Sequence, residues 1–221
     1  MRVEALLFDF DGTLIDTESP EYHAWEQIFR EHGVELTVER WSSCIGTIGG
    51  FEPLEELERA VGAIDADEVT AARRRRLYEL LAREALRPGV AEYLDAARRL
   101  GLKVGIASTS SEEWILSQLA RIEHSDPFDC VVCANHDAER AKPRPTVYLE
   151  ALEQLGVEPE AAIAFEDSPN GVTAAKAAGI YTVAVPNRIT ATLDLAHADL
   201  VVDSLEELPL EDLLGRVANA A

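Results

Sequence analysis

The stretch Leu6-Leu7-Phe8-Asp9-Phe10-Asp11-Gly12-Thr13 decides how this chain is read. It is an apolar run that closes on two carboxylates one residue apart and then turns at Gly-Thr. Side chains alternate between the faces of a strand, so Asp9 and Asp11 project the same way while Phe10 points into the packing. Paired acids at the carboxyl end of a strand lie where an open α/β sheet places its chemistry. Close carboxylates repel unless a cation or a shared proton relieves them. A hard divalent metal with one acid/base carboxylate satisfies both conditions.

Three further segments extend the pattern. Ala107-Ser108-Thr109-Ser110 follows a second apolar run, Lys103 to Ile106. Lys142-Pro143-Arg144-Pro145 opens a helical pattern after a third run near Phe128 to Val132. Ala162-Ile163-Ala164-Phe165 is a fourth run, ending in Glu166-Asp167-Ser168-Pro169-Asn170-Gly171.

In this order the four segments resemble the signature motifs of the haloacid dehalogenase superfamily, most of whose members are phosphatases. The likeness is strongest to the β-phosphoglucomutase-like branch and covers nearly the whole chain. It implies an α/β core, a Rossmann-like parallel sheet with helices on both faces, with a small all-α cap inserted after the first motif. In such a site Asp9 is the nucleophile and forms an aspartyl-phosphate. Asp11 protonates the leaving group and then deprotonates the hydrolytic water. Ser108 and Thr109 bind the phosphoryl group, and Lys142 neutralises it and orients Asp9. The resemblance also implies Mg²⁺ held by Asp9, the Asp11 backbone carbonyl and Asp167, with Glu166 beside them and Thr13 steadying the turn; all-oxygen donors suit that ion.

The rest of the chain fits such a plan. Val3 to Phe8 reads as a buried strand, and residues 16–86 as helical: His23-Ala24-Trp25, Ile28-Phe29 and Gly33 outline one amphipathic helix, and Leu54-Leu57-Val61 and Val69 to Leu86 outline others. Pro88-Gly89 marks the return to the core. Helix and strand then alternate through Val90–Leu100, Val104–Ala107, Glu112–Ile122, Asp129–Val132, Thr146–Leu155, Ala162–Phe165, Gly171–Ala178, Tyr181–Val185 and Leu200–Val202, closing on a helix from Leu205 to Val217. The alternation predicts a parallel sheet covered on both faces. The expected division is a core of residues 1–15 and 87–221 and a cap of residues 16–86.

Composition narrows the partners. A net charge of -21 opposes binding to nucleic acid, so a phosphate ester must meet locally placed positive charge. Of the 20 basic residues only Lys103, Lys142 and Lys176 are lysines; a compact ammonium suits the crowded space beside an aspartate and a phosphoryl group. No apolar stretch reaches the length of a membrane span, and Met1-Arg2-Val3-Glu4 runs straight into a strand, so neither a membrane association nor a secretory leader is expected. Cys130 and Cys133 have C-x-x-C spacing but sit in a strand, where positions three apart face opposite sides. With Cys44 they make an odd thiol count, which points to a reducing cytoplasm. The sequence does not set an oligomeric state and is compatible with a monomer.

Ser110-Ser111-Glu112-Glu113 fits a capping box, placing a helix N-terminus beside Ser108 and Thr109. The Arg73–Arg76 run points nearly all round its helix and reads first as a solvated surface of the cap, with Arg74 or Arg76 reaching the cleft to hold a distal anion as the alternative. Two positions depart from the mutase pattern. Glu21 stands where those enzymes carry a histidine, with His23 two residues later, and Gly49 stands where their cap loop carries an arginine. The expected activity is hydrolysis of a small sugar-phosphate-like metabolite, with a phosphosugar mutase as the alternative. A dehalogenase needs no metal and usually lacks the acid at position 11. A receiver-like signalling module lacks an inserted helical lobe.

Overall fold

The computed structural model describes residues 2–42, 45, 51–122 and 128–220. Gly49, Cys44 and the rest of the glycine-rich loop apart from Ile45 lie outside them. The described strands are β1 (Ala5–Phe8), β2 (Lys103–Ser108), β3 (Cys130–Cys133), β4 (Ala162–Glu166), β5 (Tyr181–Ala184) and β6 (Leu200–Val201). All are parallel, in the order β3-β2-β1-β4-β5-β6. β1 is therefore central, with the order reversing on either side of it. This is the switch point where open α/β sheets bind ligands at the strand ends.

The period-two alternation of β1 separates two cores. Leu6, Phe8 and Phe10 pack with Tyr93 and Leu94 of α5 (Val90–Leu100), Ile115 and Leu119 of α6 (Glu112–Arg121) and Leu213 and Val217 of α9 (Leu210–Ala220). Ala5 and Leu7 pack on the opposite face with Val147, Tyr148 and Ala151 of α7 (Thr146–Leu155) and Ala174 and Ala175 of α8 (Pro169–Ala177). Cys133 belongs to the first layer and Cys130 to the second, as their spacing in a strand requires. The α/β class and the two-sided sheet are thus as expected.

Between β1 and α5 the described elements are helices: α1 (Glu18–Glu31), α2 (Val38–Ser42), α3 (Pro53–Val61) and α4 (Ala66–Leu81). Their apolar faces form a separate cluster around Tyr22, Trp25, Ile28, Phe29, Trp41, Leu57 and Val69. The chain leaves and re-enters the core at one place, where Ile15 and Leu86 form an antiparallel bridge and the Arg87 N–H donates to Leu14 O at 2.8 Å.

Two sequence expectations are corrected. The helix expected over Val69 to Leu86 ends at Leu81, because Leu86 is needed as the partner of Ile15. The helix expected over Leu205 to Val217 is divided. Leu205–Glu207 forms a short 3₁₀ turn and α9 starts after Pro209, whose ring disfavours helical backbone in the residue before it.

Candidate active site

Asp9 follows directly on β1, and its N–H still pairs with Phe165 O of β4 at 2.9 Å. The backbone ladder thus fixes the carboxylate at the end of the central strand. Lys142, on the loop before α7, is buried and donates its Nζ to Asp9 Oδ1 and to Glu166 Oε1, the latter at 2.6 Å. Glu166 is the last residue of β4 and completely buried; it also accepts from the Tyr148 hydroxyl at 2.6 Å. Asp167 is next in the chain and accepts from Asn187 Nδ2 at 2.7 Å. That amide reaches toward Gly12 O at 3.4 Å, and the Arg87 guanidinium also donates there. Gly12 has φ +81°, and a β-carbon on it would lie 2.2 Å from Asp167 Oδ2, so the turn after Asp11 requires glycine twice over.

Carboxylate oxygens of Asp9, Glu166 and Asp167 lie within 4.8 Å of one another. The Lys142 ammonium meets Asp9 and Glu166 and the charge of Arg87 acts on Asp167, yet with all three acids ionised the cluster keeps an excess of negative charge. A hard divalent cation matches both the donor set and that charge. The strain is visible in the acidities. Burial pushes the Asp9 carboxyl up to about 7, partly opposed by Lys142. Burial, then the charges of Asp9 and Glu166, hold Asp167 well above the usual carboxylate range. Burial alone would lower Lys142, but Asp9 and Glu166 reverse this and raise it.

Asp11 lines the same cavity as Asp9 but turns its side chain to other partners. Thr17 Oγ1 and Trp114 Nε1 donate to its Oδ1 at 2.8 and 2.9 Å, and Ser110 Oγ donates to Oδ2 at 2.5 Å. Its carboxylate is outside the three-acid cluster, so any metal contact from this residue falls to its backbone carbonyl. Ser108 is buried, and its hydroxyl oxygen accepts from the Ser110 N–H at 3.1 Å. Thr109 Oγ1 accepts from the Lys142 N–H at 3.3 Å, joining the β2 end to the lysine loop. Thr13 is buried, but its hydroxyl has no hydrogen-bond partner among the described residues, so the turn is held by backbone instead.

The capping box is also corrected: Ser111, not Ser110, caps α6, accepting from the Trp114 N–H at 3.2 Å. Ser110 is thereby free to hold Asp11.

Asp9, Asp11, Ser108, Thr109, Lys142 and Asp167 all line one cavity of about 550 Å³ between the sheet ends and the inserted helices. The helical wall contributes Glu18, Glu21, Arg73, Arg74 and Tyr78. Arg73 is bound to Glu21, its Nε donating at 2.7 Å, while Trp25 Nε1 donates to the same oxygen at 3.1 Å. Arg74 lies 5.8 Å from the Tyr78 ring centre, and Arg76 points elsewhere, paired with Glu31 at 2.7 Å. His23 is exposed on α1 beside Glu26 and is not on this cavity wall. Glu18 has no hydrogen-bond or ion-pair partner among the described residues. Burial and the charges of Asp11, Glu21, Asp16 and Asp9 push it up to about 8. Sequence reasoning missed Glu18, Trp114, Tyr148 and Asn187. Each reaches the site from a helix or strand end whose spacing carries no motif.

A family model described as haloacid dehalogenase-like hydrolase matches residues 6–185. The chain belongs to the haloacid dehalogenase-like hydrolase family. Within it, YhcW of Bacillus subtilis (strain 168), which carries a provisional phosphatase name, is 44% identical over 96% of this chain and 96% of its own. The phosphorylated carbohydrates phosphatase of Thermotoga maritima is 33% identical over 82% of this chain and 84% of its own. Among solved haloacid dehalogenase-like structures, CbbY from Rhodobacter sphaeroides in complex with phosphate superposes with a TM-score of 0.75 at 33% identity, covering 96% of this chain and 99% of that one. A variant of CbbY has been solved with xylulose-(1,5)bisphosphate. The expected enzyme class, a phosphoric monoester hydrolase of this family, is borne out.

Proposed function

We propose that this chain is a Mg²⁺-dependent phosphatase that hydrolyses a small phosphorylated metabolite of the sugar-phosphate kind through an aspartyl-phosphate on Asp9. The observation that carries the reading is the Lys142 ammonium bridging Asp9 and Glu166 on the floor of the cavity. A carboxylate can attack a dianionic ester only where both charges are screened.

Asp9 attacks phosphorus, the ester P–O bond breaks, and Asp11 gives its proton to the departing oxygen. Water then attacks the phosphorus, its proton passes to Asp11, the Asp9–phosphorus bond breaks and inorganic phosphate leaves. Lys142 orients Asp9 and offsets charge on the phosphoryl oxygens, and Ser108 and Thr109 line the same floor. Asp9, Asp167 and the Asp11 backbone carbonyl would hold Mg²⁺, with Glu166 adjacent; the ion supplies charge stabilisation of the transferring phosphoryl group.

The helical segment of residues 16–86 acts as the cap that selects the leaving group. Glu18 offers a hydrogen-bond partner to a substrate hydroxyl, and Arg74 is the cation available to a second anion. The relatives' carbohydrate phosphates, and a wall carrying both acids and arginine, support a polyhydroxylated substrate. Among the described residues no helix is long and apolar enough to cross a membrane. Phosphate release from a panel of phosphorylated metabolites, with and without Mg²⁺, tests the reading. Turnover of sugar monophosphates that depends on the metal is expected, and a panel without turnover would overturn it.

A further inference from the structure

Trp114 occupies an unusual position. It lies in the first turn of α6, in the core, yet its ring packs against both the main core layer and a small cluster made by Ala24 of α1 with Leu77 and Leu81 of α4. Its indole N–H is not spent on the helix or on water-facing groups; it donates to Asp11 Oδ1 at 2.9 Å. An indole can only donate, so this contact has one sense. The same carboxylate oxygen accepts from Thr17, the residue at which the chain enters α1, and the other accepts from Ser110 at the end of β2. Asp11 is thus held by one donor from the neck leading to the inserted helices, one from the core loop, and one from a ring touching both.

We propose that Trp114 is a positioning residue for Asp11: its indole, seated between the core and helices α1 and α4, aims the carboxylate that handles the proton, and does so while those helices rest on the ring. The inference depends on the phosphatase reading for its kinetic consequence. The hold on Asp11 itself can be measured without turnover. A hydrogen bond to a charged group is worth enough to change a rate roughly tenfold if it fixes a reacting carboxylate. Because Trp114 acts through Asp11, its effect must vanish when Asp11 cannot carry a proton.

The test is a double-mutant cycle on the full chain with Mg²⁺, using an alkyl and an aryl phosphate. Trp114→Phe keeps an aromatic ring at the seam and removes the N–H. It is expected to lower kcat on the alkyl ester about tenfold with KM little changed, and to lower the aryl rate less. In an Asp11→Asn background the same substitution should cost nothing further. A loss of equal size in both backgrounds would overturn the proposal, because it would mark Trp114 as packing only. An unaltered kcat would overturn it too. Independently of activity, the Trp114 indole proton resonance should move upfield when Asp11→Ala removes the acceptor; an unmoved resonance would overturn the hold. If wild type turns over neither ester while the resonance moves as expected, the phosphatase reading falls and the positioning contact stands.

Discussion

A β-carbon placed on Gly171 would lie 1.8 Å from Glu166 Oε2. The first turn of α8 therefore presses directly on the buried acid that receives Lys142 and Tyr148. Gly171→Ala must move either the helix or the carboxylate. We expect a loss of about 1–3 kcal/mol in chemical denaturation, the usual cost of overpacking, together with a fall in activity larger than the fraction unfolded explains. A variant with full stability and full turnover would show that Glu166 has another resting place.

Asp9→Asn should fold as the wild type does, since the amide fits the same space and relieves a buried charge. Its turnover should fall by roughly three orders of magnitude or more, because an amide is a poor nucleophile. Trapping labelled phosphate on wild type and mapping it by mass spectrometry checks the site. Label on any residue other than Asp9 contradicts the covalent role.

Asp11→Asn separates proton transfer from attack. Its backbone carbonyl remains, so Mg²⁺ affinity should change little, while turnover of alkyl esters drops by about 10²–10⁴-fold. Aryl phosphates need little protonation of the leaving oxygen and should lose less. A rate series over leaving groups in single-turnover mode measures this. A uniform loss would remove Asp11 from the acid role.

The raised pKa values of the buried acids give a pH dependence of unusual sign. Asp9 at about 7, Glu18 at about 8 and Asp167 well above its usual range all exceed the unfolded value of a carboxylate, near 4. Across that window the native chain without metal binds more protons than the unfolded chain, so these groups make stability fall as pH rises. Mg²⁺ competes with those protons at Asp9 and Asp167. Its stabilising effect, read as the rise in Tm over a chelated sample, should therefore be small near about pH 5 and grow toward about pH 8. An increment independent of pH would argue against metal at these acids.

Phosphatase and mutase diverge on the helical wall. A mutase must retain a bisphosphate and turn it, which needs a cation dedicated to the distal group. Here Arg73 is neutralised by Glu21 and Glu18 adds another acid, so of the two arginines on that wall only Arg74 is left for a distal anion. We expect β-glucose 1-phosphate, supplied with a trace of the 1,6-bisphosphate, to yield inorganic phosphate with no accumulation of glucose 6-phosphate. Phosphorus NMR follows both, and faster formation of the 6-phosphate would favour the mutase.

The frame of the fold was open to sequence reading because each strand is short, apolar and followed by its own turn chemistry. Thr146–Leu155 and Val90–Leu100 match their helices end to end, since Pro145 and Gly89 start them and Gly156 and Gly101 stop them. The floor of the site was equally legible: Asp9, Lys142 and Asp167 sit at strand ends or loop starts, where period-two patterning breaks off. The walls were not. Trp114 and Glu18 reach the cavity only because two helices pack in one particular relation, which a helical period of 3.6 does not encode. The capping serine was misplaced by one residue because Ser110 and Ser111 offer the same hydroxyl. Only the competing demand of Asp11 for a donor tells them apart.

The neck at Ile15 and Leu86 has a consequence for how such a chain can change. Both ends of the inserted helices meet at a single bridged pair, so to the sheet the whole insert amounts to a long excursion between neighbouring points. Strand order, the lysine loop and the acids Asp9, Asp11, Glu166 and Asp167 all lie outside it. Substitutions within the helices can therefore reshape the cavity wall while Asp9, Lys142 and Asp167 keep their places at the strand ends, and only the hold on Asp11 reaches across the junction.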